Sequence, residues 1–199
     1  MKIYDISQEF TSSKVYPGDP SPSLTRLCSM ENGSPYNLTA FSACAHNGTH
    51  VDAPSHFIKD GKSVAELDLS KTVGEALVIE LSGEIGEKEA ISLIKKAQEY
   101  GVEAAKRLLV KGDAVLMPDG AKILLKFGVE LVGTESQSVG PVNAPMQVHQ
   151  ILLGGEVILL EGLRLDKVQE GVYFLFSAPI NIGPSEGAPC RAILVDFEK

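Results

Sequence analysis

His46-Asn47-Gly48-Thr49-His50-Val51-Asp52-Ala53-Pro54-Ser55-His56 gathers three of the chain's 4 histidines around an aspartate. Neutral imidazoles and a carboxylate are the ligands that borderline divalent ions take in catalytic sites, where one coordination position stays open for water. His46, Gly48, His50, Asp52, Pro54 and His56 fall on even positions, so an extended chain projects them from one face. A flat strand nevertheless leaves His46 and His50 about 13 Å apart, whereas ligands of one ion approach it to roughly 2 Å each. The chain must bend. Gly48 tolerates the backbone angles of such a bend, while Pro54 fixes its own φ and holds Ala53 extended. A continuous helix fails differently, because it swings Asp52 about 200° away from His50 and then meets Pro54. The stretch is therefore expected as a loop or distorted turn following a strand. Packing alone does not account for three clustered imidazoles, since burying them unpaired costs free energy.

Short apolar runs surround this stretch. Segments 76–81, 107–110, 114–117, 157–160, 171–176 and 191–195 are bounded by Gly, Pro or charged residues and suit buried strands. Segment 36–45 alternates less cleanly and leads straight into His46. Residues 87–100 place Ala90 or Ile91, Ile94 and Ala97 or Gln98 at amphipathic spacing, with acids at the start and Gly101 as a stop, which predicts a helix. Asp119 can cap a second short helix over 121–126, closed by Gly128. Pro145 can open a third and Gly154 close it, with Met146, His149 and Leu152 or Leu153 on one face. Read by itself, His149 is more readily a core-facing residue than a ligand. Glu161 is different: it ends the apolar run 157–160, and a carboxylate emerging from a buried strand needs a partner, of which a metal is one. The pattern is that of an α/β protein.

Composition narrows the partners. With 199 residues and 44% hydrophobic content, the chain suits one domain with a substantial core rather than two, so a single domain over 1–199 is expected. A formal net charge of −8 argues against nucleic-acid binding and against an anionic membrane surface, leaving a small molecule as the expected partner. Cys28, Cys44 and Cys190 are odd in number and scattered, which reads as reduced thiols rather than a disulfide framework, with Cys44 a small packing residue. The opening Met1-Lys-Ile-Tyr-Asp-Ile-Ser is interrupted by Asp5 before a signal-peptide core could form, and no apolar run approaches a membrane span. A cytoplasmic protein is expected.

The pattern His46-x-Gly48-Thr49-His50-x-Asp52-x-Pro54-x-His56-Phe57 resembles the signature of the cyclase family of metal-dependent hydrolases, which includes bacterial kynurenine formamidases and isatin hydrolases. Val15-Tyr16-Pro17-Gly18-Asp19 resembles that family's N-terminal Pro-Gly-Asp loop, and Leu160-Glu161-Gly162-Leu163 its second acidic segment, so nearly the whole chain is covered. The resemblance implies a swivelling β/β/α fold with a mixed, barrel-like sheet, a few flanking helices and metal at one end of the sheet. It also implies roles: His46, His50 and Asp52 as metal ligands and His56 as proton donor and acceptor. His149 and Glu161 complete a second metal position, with Asp52 and Glu161 bridging. Tyr16, in a Pro-Gly turn of type II character, overhangs the substrate where the formamidases usually carry tryptophan. One or two divalent ions, Zn2+ or Mn2+, follow as the expected cofactor.

A divalent ion on such residues makes water nucleophilic near neutral pH, and His56 suits proton relay. The expected function is hydrolysis of a small amide, formamide, lactam or ester, in the manner of an arylformamidase acting on carbon–nitrogen bonds other than peptide bonds, with tryptophan catabolism as a setting. A metal-assisted cyclase or dehydratase, or a metal-dependent binding module without turnover, are the competing readings. His56 favours an enzyme, because a binding site has no need of an extra proton carrier. Segment 11–35 is polar, rich in Pro and Gly, and has little strand or helix periodicity to hold it on its own domain. A homo-oligomer, a dimer before a tetramer, is therefore expected, with the Tyr16 loop near the partner subunit.

Overall fold

A computed structural model describes residues 1–197 and places them in one mixed α/β domain built on a nine-stranded sheet that curls into a half-barrel. The strands in chain order are β1 (Lys2–Asp5), β2 (Ser23–Cys28), β3 (Leu38–Ser42), β4 (His50–Asp52), β5 (Val73–Glu80), β6 (Glu84–Ile85), β7 (Arg107–Lys111), β8 (Val115–Leu116), β9 (Leu131–Thr134), β10 (Ile158–Glu161), β11 (Gly171–Phe176), β12 (Gly187–Pro189) and β13 (Ile193–Asp196). The helices are α1 (Glu87–Tyr100), α2 (Pro118–Lys126) and α3 (Met146–Gly154). The main sheet runs β1-β13-β11-β5-β7-β9-β10-β4-β12. Its centre, β5 through β10, is parallel, and the flanks are antiparallel.

The parallel centre explains the apolar runs. Helical crossovers cover one face, so central strands are buried on both sides and read as continuous hydrophobic stretches. Along β5, Leu77 and Ile79 pack with Ala90, Leu93, Ile94 and Ala97 of α1, whereas Ala76 and Val78 face the second core inside the curl. On β10 the same alternation sends Leu159 toward the helices and Ile158 and Leu160 the other way. Glu161, two residues beyond Leu159, thereby shares the helix side, and its register partner across β4 is His50, as Leu159 is that of Asp52. Val51, between those two ligand-type residues, is buried in the opposite core.

Several local expectations change. The signature is not all loop: the bend lies before β4, at Gly48 with φ +67, and His50 to Asp52 then join the main sheet, followed by a 3-10 turn over Pro54–His56. Segment 36–45 does contain a strand, β3, but one outside the main sheet. That strand pairs only with β2 in a separate hairpin, and β2 lies inside the 11–35 segment that shows little periodicity. Asp119 does not cap α2, which starts one residue earlier at Pro118; its carboxylate accepts instead from the backbone N–H of Gly120 and of Glu87 at the start of α1. Gly154 is the last residue of α3 and Gly155 the cap. Strand β9 went unread because Gly133 breaks its apolar run, yet that glycine lets Leu109 and Leu163 close over it.

Candidate metal centre

The site is assembled where β4, β10 and α3 meet. Gly48 turns the chain so that its carbonyl accepts from His50 Nδ1 at 3.0 Å, which leaves His50 Nε2 pointing at Asp52 Oδ1, 3.4 Å away, and Glu161 Oε2, 3.5 Å away. His149 is held the same way: its Nδ1 donates to the carbonyl of Pro145 at 2.8 Å, and Nε2 faces Glu161 Oε1 at 3.3 Å and Asp52 Oδ2 at 3.7 Å. A backbone carbonyl at one ring nitrogen fixes the tautomer and frees the other nitrogen's lone pair, as metal-ligating histidines require. His46 places Nδ1 2.8 Å from Asp52 Oδ1. Each carboxylate thus serves two directions, one oxygen toward each side.

Two ligand-type groups result, His46 with His50 and Asp52, and Asp52 with His149 and Glu161, sharing Asp52. His50, Asp52, His149 and Glu161 are all buried. Asp52 Oδ2 and His46 Nε2 are buried without any hydrogen bond. A buried carboxylate oxygen with no hydrogen bond is costly, and a cation between the imidazoles removes that cost. The residues fit a divalent ion by donor chemistry as well as by placement.

Electrostatics agree. Burial works against charging His46, His50 and His149, but the carboxylates outweigh it and raise all three pKa values: Asp52 for His46, Glu161 first for His50 and His149. Burial likewise disfavours an ionised Asp52, yet its hydrogen bond with His46 and the nearby imidazoles hold its carboxyl far below the usual range. His56 goes the other way: burial, joined by neighbouring His46 and His149, lowers it against the pull of Asp52. His56 belongs to neither ligand group. Its ring stacks on His46 at 4.1 Å between centroids and meets Phe57 edge-on at 4.4 Å.

A cavity of about 260 Å³ opens onto this cluster, lined by Tyr16, Asp19, His56, Phe57, Gln137 and Ser138 together with the histidines and Glu161. A larger trough of about 570 Å³ between the N-terminal segment and Arg164 is lined by no histidine. All six residues singled out by sequence, and Tyr16, therefore meet in one place. Tyr16 and Asp19 close their turn through a backbone hydrogen bond of 3.0 Å. Cys44 is half-buried and lies outside both the cavity lining and the two cores.

Three neighbours were not foreseen. Glu186 sets Oε1 3.4 Å from His46 Nε2; it lies far along the chain, just before β12, and no spacing links it to the signature. Gln137 and Ser138 reach the cavity from the loop after β9. Thr49 has a structural role: its buried hydroxyl donates to the carbonyl of Gly162 at 2.6 Å and accepts from Gln8 N–H at 2.9 Å, tying the signature to the end of β10. Gly162 has φ +71, and a Cβ there would run into the carbonyl oxygen of Gly48.

The cyclase family model matches residues 4–141. A kynurenine formamidase of Erythrobacter litoralis is 34% identical over 207 residues, covering 97% of this chain and 93% of its own. Among solved structures, a protein described as a potential metal-dependent hydrolase with cyclase activity is similar with a TM-score of 0.80 and 26% identity, over 100% of this chain and 99% of its own. Isatin hydrolase A from Labrenzia aggregata shares the fold with a TM-score of 0.82 at 21% identity, over 99% and 94% of the two chains. Among the described residues no helix is long and apolar enough to cross a membrane.

Proposed function

We propose that this chain, which belongs to the cyclase family, is a metal-dependent hydrolase that opens a carbon–nitrogen bond other than a peptide bond in a small amide, formamide or lactam, with simple esters as related substrates. The observation that carries the reading is the pair Asp52 and Glu161, each shared between histidines held by backbone carbonyls, with His56 standing beside them over a cavity. In this reading His46, His50 and Asp52 hold one divalent ion and Asp52, His149 and Glu161 a second. Zinc or manganese suits that nitrogen and oxygen set. The cyclase-family domain occupies 1–199.

A divalent ion bound there supplies Lewis acidity, acidifying water and polarising a carbonyl. His56 does the proton work. Kept neutral by its surroundings, it accepts a proton from the attacking water and returns it to the leaving nitrogen. The water oxygen joins the carbonyl carbon, the C–N bond breaks, and the nitrogen departs protonated. Asp52, its carboxyl held well below the usual range, stays ionised, and with Glu161 it holds the imidazoles in register. Tyr16 and Phe57 give the cavity apolar walls for the organic part of the substrate.

We also propose a homodimer in the cytoplasm. The hairpin β2–β3 supports the assembly, because a lone two-stranded ribbon is marginal in water while this one leaves Leu24, Leu27, Leu38 and Phe41 exposed. A metal-loaded turnover screen against N-formyl aromatics, lactams and simple esters, with the metal-free protein as control, tests the activity. Turnover of none of them in zinc or manganese would end the proposal.

A further inference from the structure

The loop after β9 carries two polar side chains for which hydrolysis alone gives no use. Gln137 Oε1 and Nε2 and Ser138 Oγ are buried and make no hydrogen bond, and both residues line the cavity above the metal centre. The loop is not slack. Ser136 O accepts from Gly162 N–H at 2.8 Å, Val139 N–H donates to Glu161 Oε1 at 2.8 Å, and the Glu135 carboxylate takes Gly112 N–H and Leu165 N–H, each at 2.8 Å. The Gln137 side chain is packed against the turn that follows β10. Its Nε2 lies against Gly162, where a Cβ would come within 2.6 Å. Buried side-chain polar atoms are paired with few exceptions, and an exception on the wall of a reactive cavity points to a ligand.

We propose that Gln137, assisted by Ser138 Oγ, is a specificity-determining residue that reads a second amide on the substrate, so that the enzyme acts on compact rings carrying two amide groups, of the cyclic ureide type. The choice of bond cleaved rests on the hydrolase reading above. A carboxamide presents an N–H and a C=O side by side. A small ring forces its amide cis, so that one edge presents C=O and N–H in the complementary order, and two hydrogen bonds close between them. One amide of the ring meets Gln137, and the other carbonyl faces the histidines and carboxylates. There water adds its oxygen to the carbonyl carbon, the ring C–N bond breaks and the nitrogen takes the proton, leaving an open-chain acid with no other reactant consumed. The cavity, near 260 Å³, falls below the ~300–1,000 Å³ of pockets for drug-sized ligands, which suits such a ring. A ring with one amide must leave Gln137 unpaired once that amide is at the metal centre.

The test compares hydantoin, with two ring amides, and 2-pyrrolidinone, with one, by calorimetric binding and by turnover on the metal-loaded enzyme. Wild type should favour hydantoin by about 10²-fold, since a site built to pair a polar group rejects the analogue lacking it. Gln137→Met, of similar length without the amide, should collapse that preference, and Gln137→Glu, which keeps acceptors but no N–H, should retain only part of it. Elemental analysis of each variant confirms an intact metal centre. Binding that discriminates without turnover upholds the role of Gln137 and removes the hydrolase reading instead. Equal binding and turnover of the two rings by wild type, or variants that change both rings by the same factor, would overturn the inference.

Discussion

Glu161 stands directly opposite His50 across the antiparallel pairing of β10 with β4, and their side chains meet at 3.5 Å between Oε2 and Nε2. The metal centre is thus keyed to sheet register. A slip of one residue would turn His50 and Asp52 into the core that holds Val51 and aim Val51 at Glu161. Pairing with β12 on the other side, Gly187 opposite Asp52 and Pro189 opposite His50, locks the strand from both edges.

Separation of His56 from the ligand groups predicts a division of roles. His56→Ala should keep its metal and lose turnover by about 10²-fold or more, the usual scale of general acid–base catalysis. His50→Ala should lose both. Because its surroundings lower His56 from 6.5, the acid limb of the wild-type rate profile should have its midpoint below 6.5 and should vanish in His56→Ala. Elemental analysis beside a pH series checks this; loss of metal from a folded His56→Ala protein would make His56 a ligand.

Raised pKa values at His46, His50 and His149 have a definite sign. In the metal-free protein their stabilisation is fully present below 6.5 and is lost as pH rises through the raised values. The depressed Asp52 carboxyl contributes above its usual 3.8 and fails only as pH falls toward its lowered value. Metal must displace the imidazole protons, so binding should release protons at neutral pH and tighten as pH rises. Calorimetry in buffers of different ionisation enthalpy reads the release directly. Binding without proton release at pH 6.5 would contradict the assignment of ligands.

Thr49→Val keeps the shape but leaves the N–H of Gln8 without its acceptor and removes one donor from the carbonyl of Gly162, to which Gln8 Nε2 still donates at 2.9 Å. Leaving a buried group unsatisfied costs about 1–3 kcal/mol, and each 1 kcal/mol moves the Tm of a chain this size by about 2–4 °C. Thermal denaturation should show that loss. An unchanged Tm would mean that the clamp adds nothing to stability.

Leu24 and Phe41 are register partners on β2 and β3, and they are 60% and 64% exposed. If a second copy covers them, Leu24→Glu with Phe41→Glu should convert a dimer into a folded monomer, because two buried unpaired carboxylates are untenable in an apolar interface. Light scattering at micromolar concentration checks it. A monomeric, fully active wild type would remove the dimer.

How much could be read without coordinates follows from how local each signal is. His46, His50, Asp52 and His56 were legible together because one short stretch carries them, and Gly48 was legible as the bend because a flat strand could not close the site. His149 was ambiguous for a physical reason: on α3 it lies between Val148 and Leu152, both fully buried, so its face reads as core until Glu161 is seen beneath it. Glu186, Gln137 and Ser138 reach the site through β-sheet pairing and loop closure over long sequence separations, for which composition and period carry no trace. Strand β2 was not legible, and β3 only as the poorly alternating segment 36–45, because both lie outside the two cores and burial imposes no alternation on them.

The most direct measurement is metal content with and without turnover. Elemental analysis of protein purified in zinc and manganese should find at least one divalent ion per chain, lost from both positions in Asp52→Ala because that carboxylate is shared between the two groups. Hydrolysis of an amide substrate should disappear on chelation and return when the ion is restored. A protein that carries no metal, shows no calorimetric binding of either ion, and hydrolyses amides undiminished in chelator would contradict the account.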